Sequence, residues 1–173
     1  MIVLALELVP FAGIAFLWLI GVLRDRIGQR EDRFFATVFL GSGLLFVALL
    51  FVASAVTAAF LGELAARTGS PNDVSGFGRR IGAVILHTYG MRMAAVFTIS
   101  TATIGVRTRF IPRWLAFSGY AIALILLLVA GITPWIELVF PAWILLLSLD
   151  ILIKSLREGR ATQETPSAPA HLR

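Results

Sequence analysis

Apolar residues run along this chain in long unbroken blocks, separated by short clusters of charge and turn-forming residues. They neither alternate as in a strand nor recur on one helical face. A block of about 20 apolar residues is long enough to cross a bilayer. The pattern therefore predicts an all-α polytopic transmembrane helical bundle of about five spanning helices, placed at about 2–23, 34–61, 81–104, 114–132 and 135–153. Residues 1–157 form the bundle in this reading. The stretch 158–173, polar and rich in Pro, Thr, Ala and Ser, reads as a disordered cytoplasmic tail. Between the second and third blocks, GELAARTGSPNDVSGFG (62–78) has the composition of a solvent loop. VRTRFIPR and GITP mark the two remaining turns.

A cleaved leader is the alternative for the first block. Such a leader has basic residues before its apolar run and a small-residue cleavage site after it. Here no charge precedes Ile2, and Arg24, Arg26, Arg30 and Arg33 follow, so the block reads as a retained span.

Composition agrees with a membrane and adds a direction. Apolar residues make up 58% of the chain and charged residues only 14%, whereas soluble domains are about 45–50% apolar. The net charge of +5 is not a nucleic-acid footprint, because the basic residues flank the apolar blocks. No nucleic-acid partner is expected. One set of flanks carries Arg24, Arg26, Arg30, Arg33, Arg107, Arg109, Arg113, Lys154, Arg157, Arg160 and Arg173; the opposite set carries Arg67, Arg79 and Arg80. Eleven against three puts the first set, and the C-terminus, in the cytoplasm, with the N-terminus outside. Trp114 and Trp135 then stand at helix starts on opposite faces, as interfacial anchors. An outside start with no leading segment implies either that a short tail crosses by itself or, the favoured expectation, that a further helix precedes it. Cysteine is absent, which removes thiolate metal sites and cysteine nucleophiles.

Polar groups inside the spans are the candidates for function. Arg92 falls near the middle of the third block, where an arginine costs about 2.5–3.5 kcal/mol and is expected to face the interior with a partner. Glu7 in the first block is the expected counter-ion, and Glu137 is its rival. His87, five residues before Arg92, titrates in a useful range for proton transfer. The candidate intramembrane polar cluster is thus Glu7, His87 and Arg92. A structural ion pair is the blander reading and the favoured one. No metal or cofactor is expected, since the other histidine, His171, lies in the tail. Ser42, in Gly41-Ser42-Gly43, invites a serine–histidine pairing with His87. The two enter from opposite sides and are about 9 Å apart along the normal, beyond hydrogen-bond reach. The Gly-Ser-Gly segment reads instead as a place where two helices approach closely. Pro10 and Pro141 are expected to kink their helices, and Asp150 is placed to reach headgroups or Lys154.

The stretch PFAGIAFLWLIGVLRDRIGQREDRFFATVFLGSGLLFVALLF resembles a run in uncharacterised multi-pass membrane proteins of actinobacteria. MRMAAVFTISTATIGVRTRFIPRWLAFSGYAIAL and PWIELVFPAWILLL resemble later parts of the same proteins. The resemblance covers most of residues 9–153, implies a bacterial membrane and an additional upstream helix, and carries no assigned activity. No catalytic residue follows from it.

No paired acid, metal cluster or nucleophile–base set emerges, so an enzyme is not expected. The leading expectation is a non-enzymatic structural or interaction component of the bacterial cytoplasmic membrane, whose partners are membrane lipids, further copies of itself or another membrane protein. The alternative is a small transporter or permease subunit with a polar path near Glu7, His87 and Arg92.

Overall fold

The computed structural model describes residues 2–27, 33–66, 74–130 and 134–163. Among them there is no strand. Helix α1 spans Ile2–Ile27 and α2 spans Arg33–Ala66. The third rod is α3 (Val74–Ala83), a π-helical segment (Val84–Gly90) and α4 (Met91–Thr108), all in right-handed helical geometry across the joints. Helix α5 covers Arg113–Val129, and a short α6 (Pro134–Glu137) leads into α7 (Val139–Gln163). The five expected blocks are thus five helical rods. Four carry stretches long and apolar enough to cross a membrane: Leu6–Asp25, Phe34–Phe60, Arg80–Thr108 and Trp135–Arg157. The fifth, α5, is apolar but shorter. At about 1.5 Å per residue it rises roughly 25 Å, near the lower limit for a crossing.

Several boundaries depart from expectation, because a helix is free to run on past the end of its apolar block. The expected loop at 62–78 is helical at both ends, to Ala66 and from Val74; 67–73 lies outside the described residues. Helix α7 continues to Gln163, past the expected start of the tail at 158. Residues 131–132 of the expected fourth span and 164–173 of the tail lie outside the described residues. Pro10 leaves α1 unbroken.

The least hydrophobic rod is the central one. In its apolar window 39% of residues are buried inside the bundle, against 28% in α2 and α7 and 17% in α1. A helix wrapped by protein meets little lipid and can carry hydroxyls. Thr98, Ser100 and Thr101 are buried, and each returns its hydroxyl to the carbonyl four residues back, Ala94, Val96 and Phe97. They satisfy themselves and line no path. Helix α4 packs against α2 on one side and α5 on the other, where the Thr103 and Tyr120 hydroxyls meet at 2.9 Å. The Trp143 indole N–H of α7 donates to the Leu115 carbonyl of α5 at 3.1 Å.

Phenylalanines from four rods meet on the axis. The Phe16 ring of α1 lies 5.4 Å from Phe46 of α2, 5.0 Å from Phe97 of α4 and 6.0 Å from Phe140 of α7. Phe46 and Phe140 touch edge to face at 5.1 Å, and Phe39 stacks on Phe97 at 5.0 Å. Gly43 admits this packing: a Cβ there would stand 2.7 Å from Ile20 Cδ1 and 3.0 Å from the Phe97 ring. The close approach expected of Gly41-Ser42-Gly43 therefore belongs to Gly43, since Gly41 faces open space.

A candidate polar site at one end of the bundle

Pro141 shapes the start of the last rod. It has no N–H to offer the Glu137 carbonyl four residues back, and its ring crowds that carbonyl. The helix gives way at Leu138, whose N–H turns back to the Trp135 carbonyl at 3.3 Å, and resumes with Ala142 N–H on the Leu138 carbonyl at 3.1 Å. The expected kink is thus a break, and it swings Glu137 inward. Glu137 is only 8% exposed, while Trp135 two residues earlier is 77% exposed at the end of the span.

His87 meets Glu137 from the third rod. It sits in the π-helical segment, whose wider turn is often found at functional positions. Its Nδ1 is hydrogen-bonded to Glu137 Oε2, and its side chain is 36% exposed. The second carboxylate oxygen, Oε1, is buried without a protein partner. The pair joins two parallel rods at one end of the bundle. His87 is the partner that remains open to the surroundings.

The expected cluster of Glu7, His87 and Arg92 is not assembled. Glu7 is exposed on α1 and forms no ion pair with Arg92. Arg92 is exposed too, and its Nη1 donates to the Thr88 carbonyl of its own rod. The reason is register and depth. Buried positions of α4 fall at Met91, Ala94, Ala95, Phe97, Thr98, Ser100, Thr101, Ala102, Ile104 and Gly105, and Arg92, like Val96, Ile99, Thr103 and Val106 below it, is off that face. Counted from Arg107, at the turn into α5, Arg92 stands roughly 22 Å along the rod. That leaves about 8 Å of a core about 30 Å thick. An arginine leaning toward its helix N-terminus covers that distance by snorkelling. By the same count His87 and Glu137 lie at the edge of the apolar layer.

Ser42 is buried with its hydroxyl committed to the Val38 carbonyl at 2.7 Å and the Phe39 carbonyl at 3.2 Å, so it has no part in a pairing with His87. An apolar groove of about 290 Å³ between α1 and α2, lined by Leu6, Val9, Pro10, Phe51, Ser54, Ala55 and Ala58, opens outward and fits lipid tails. No group of three or more metal-ligating side chains occurs among the described residues.

Of these residues, sequence reasoning named His87 and listed Glu137 as a rival partner for Arg92. The usable signal for the real pair was Pro141, which frees the carbonyl of the residue carrying the acid. The chain matches no family model, no curated protein and no solved structure. Its function is therefore argued from its own geometry.

Proposed function

We propose that this multi-pass membrane protein is a non-enzymatic structural or interaction component of the bacterial cytoplasmic membrane, with its N-terminus outside and its C-terminus in the cytoplasm. The observation that carries the reading is the phenylalanine cluster. Four rods close on Phe16, Phe46, Phe97 and Phe140, and Phe140 stands less than one turn beyond Glu137 along the last rod. The polar pair therefore dead-ends on packed rings. A solute would have to part four helices packed closely around those rings. Support for the orientation comes from the excess of arginine at the Lys154 end. The resemblance to actinobacterial membrane proteins supports the bacterial setting.

A transporter subunit is the second reading. What favours it is the buried Glu137 oxygen without a partner, beside a π-helical segment and a broken helix. Proteoliposomes with an internal pH-sensitive dye separate the two. The leading reading expects an imposed proton gradient to decay as in protein-free vesicles. Faster decay that His87→Ala removes would establish the transporter instead. Reporters fused after Ser75 and after Arg160 should lie on opposite sides of the membrane, and the same side for both would overturn the five-rod topology.

A further inference from the structure

The turn joining α4 to α5 is built more firmly, and at more cost, than a connection requires. Helix α4 ends on Arg109 in the left-handed conformation, φ 57° and ψ 20°. Glycine is the default residue there, because a Cβ crowds the backbone. Arg109 is the one described non-glycine residue with positive φ. Such outliers persist where the surroundings hold them, and they collect at functional positions. Here three contacts hold the turn. Lys154 of α7 donates from Nζ to the Phe110 carbonyl at 2.7 Å, Ile111 is buried in the core, and Pro112 fixes the entry to α5.

This firm turn presents Arg109 and Arg113 outward, with Trp114 61% exposed beside them. The same end of the bundle carries Arg24, Arg107 and Arg157, all exposed, with Arg107 stacked over the Phe35 ring at 4.6 Å. Among the carboxylates whose side chains are described at that end, none is paired with the turn. Asp150 is bound to Lys154 at 2.7 Å, and Asp25 is exposed on α1. Neither Arg109 nor Arg113 has an ion pair among the described residues. Trp114 marks the level of the lipid headgroups.

We propose that Arg109 and Arg113 form a seat for the phosphodiester of an anionic phospholipid, with Trp114 against the glycerol and upper acyl region. Guanidinium forks match phosphate oxygens, and the rigid turn sets their spacing before the lipid arrives. Arginine rather than glycine at the left-handed position is then the cost of a positive charge at the apex.

Native mass spectrometry of the full chain, released from micelles holding phosphatidylglycerol or phosphatidylcholine, tests this. Wild-type protein should retain phosphatidylglycerol at least about tenfold better than phosphatidylcholine. The double variant Arg109→Gln, Arg113→Gln should lose affinity for phosphatidylglycerol by about thirtyfold, at about fivefold per arginine. Arg80→Gln, at the opposite end, should change nothing. Unchanged melting in phosphatidylcholine micelles shows that the double variant is folded. Equal retention of the two lipids by the wild type, or an unchanged preference in the double variant, refutes the seat. So does an equal loss in Arg80→Gln, which would mean diffuse attraction. In a second arm, inorganic phosphate in large excess over the lipid should leave the bound phosphatidylglycerol in place. Displacement would mean that the turn binds free phosphate rather than lipid.

Discussion

Removing either partner of the His87–Glu137 pair should have unequal effects. In His87→Ala the Glu137 carboxylate, one oxygen of which already lacks a partner, loses its remaining bond while staying buried. A buried group left without partners costs about 1–3 kcal/mol. The neighbouring water at the edge of the apolar layer keeps the value near the middle of that range, about 2 kcal/mol. Glu137→Ala deletes that carboxylate and leaves His87, which is more than a third exposed, free to take up water. Its cost is about 1 kcal/mol, mostly from the lost bond. The double variant has no orphaned carboxylate and should cost about 1.5 kcal/mol, giving a coupling of about 1.5 kcal/mol. That is near the upper end for membrane hydrogen bonds, which average about 0.6 and reach about 1.7 kcal/mol. Reversible unfolding in mixed dodecyl maltoside and dodecyl sulfate micelles measures all four corners of the cycle. Additive single effects, or a larger loss in Glu137→Ala than in His87→Ala, would refute the assigned contact and its burial asymmetry.

The remaining expectations concern packing, depth and the basic turn. Gly119→Ala places a Cβ 2.8 Å from Trp143, whose indole is tied to Leu115; overpacking of this kind costs about 1–3 kcal/mol, read as a lower midpoint in the same unfolding assay. Arg92→Ala and Glu7→Ala should combine additively to within about 0.5 kcal/mol, since they share no contact; a larger coupling would bring back the pairing expected from the sequence. Lys154→Met leaves the Phe110 carbonyl without its donor and should cost about 1 kcal/mol. Arg109→Gly relieves the left-handed backbone and should stabilise by about 0.5–1 kcal/mol in phosphatidylcholine micelles, after the added freedom of the unfolded glycine is allowed for.

Block length made the order of five rods legible, because nothing but a membrane span calls for apolar runs of that size. What stayed hidden lies at their ends. The third apolar block begins near Ile81, yet its helix begins at Val74, so depth taken from the bounds of the block put Arg92 in mid-membrane. Counting from the turn at 107–113 puts it near the edge. A charge beside an apolar block marks where lipid begins only if the helix also ends there, and this one does not. Thr98, Ser100 and Thr101 show a second limit. Composition registers a hydroxyl as polar, but not that it is satisfied by its own backbone. The π-helical segment leaves no trace in periodicity over seven residues, and the left-handed Arg109 occupies a position where glycine was the natural guess.

The π-helical segment also sets a phase. A π turn takes more residues than the α turns beside it, so Val84–Gly90 rotates everything on its N-terminal side relative to α4. Each residue of an α-helix advances by about 100°. Deleting one residue of the segment, Leu86 for example, would let it relax to α geometry with its hydrogen bonds kept. Because α residues turn further than π residues, the shortened segment would sweep nearly the same angle and keep α3 facing α2. The seven residues thus work as an offset between two gears. On one side of the segment α3 meshes with α2, and on the other α4 meshes with both α2 and α5, so the offset lets two lengths of one rod each turn a packing face to α2.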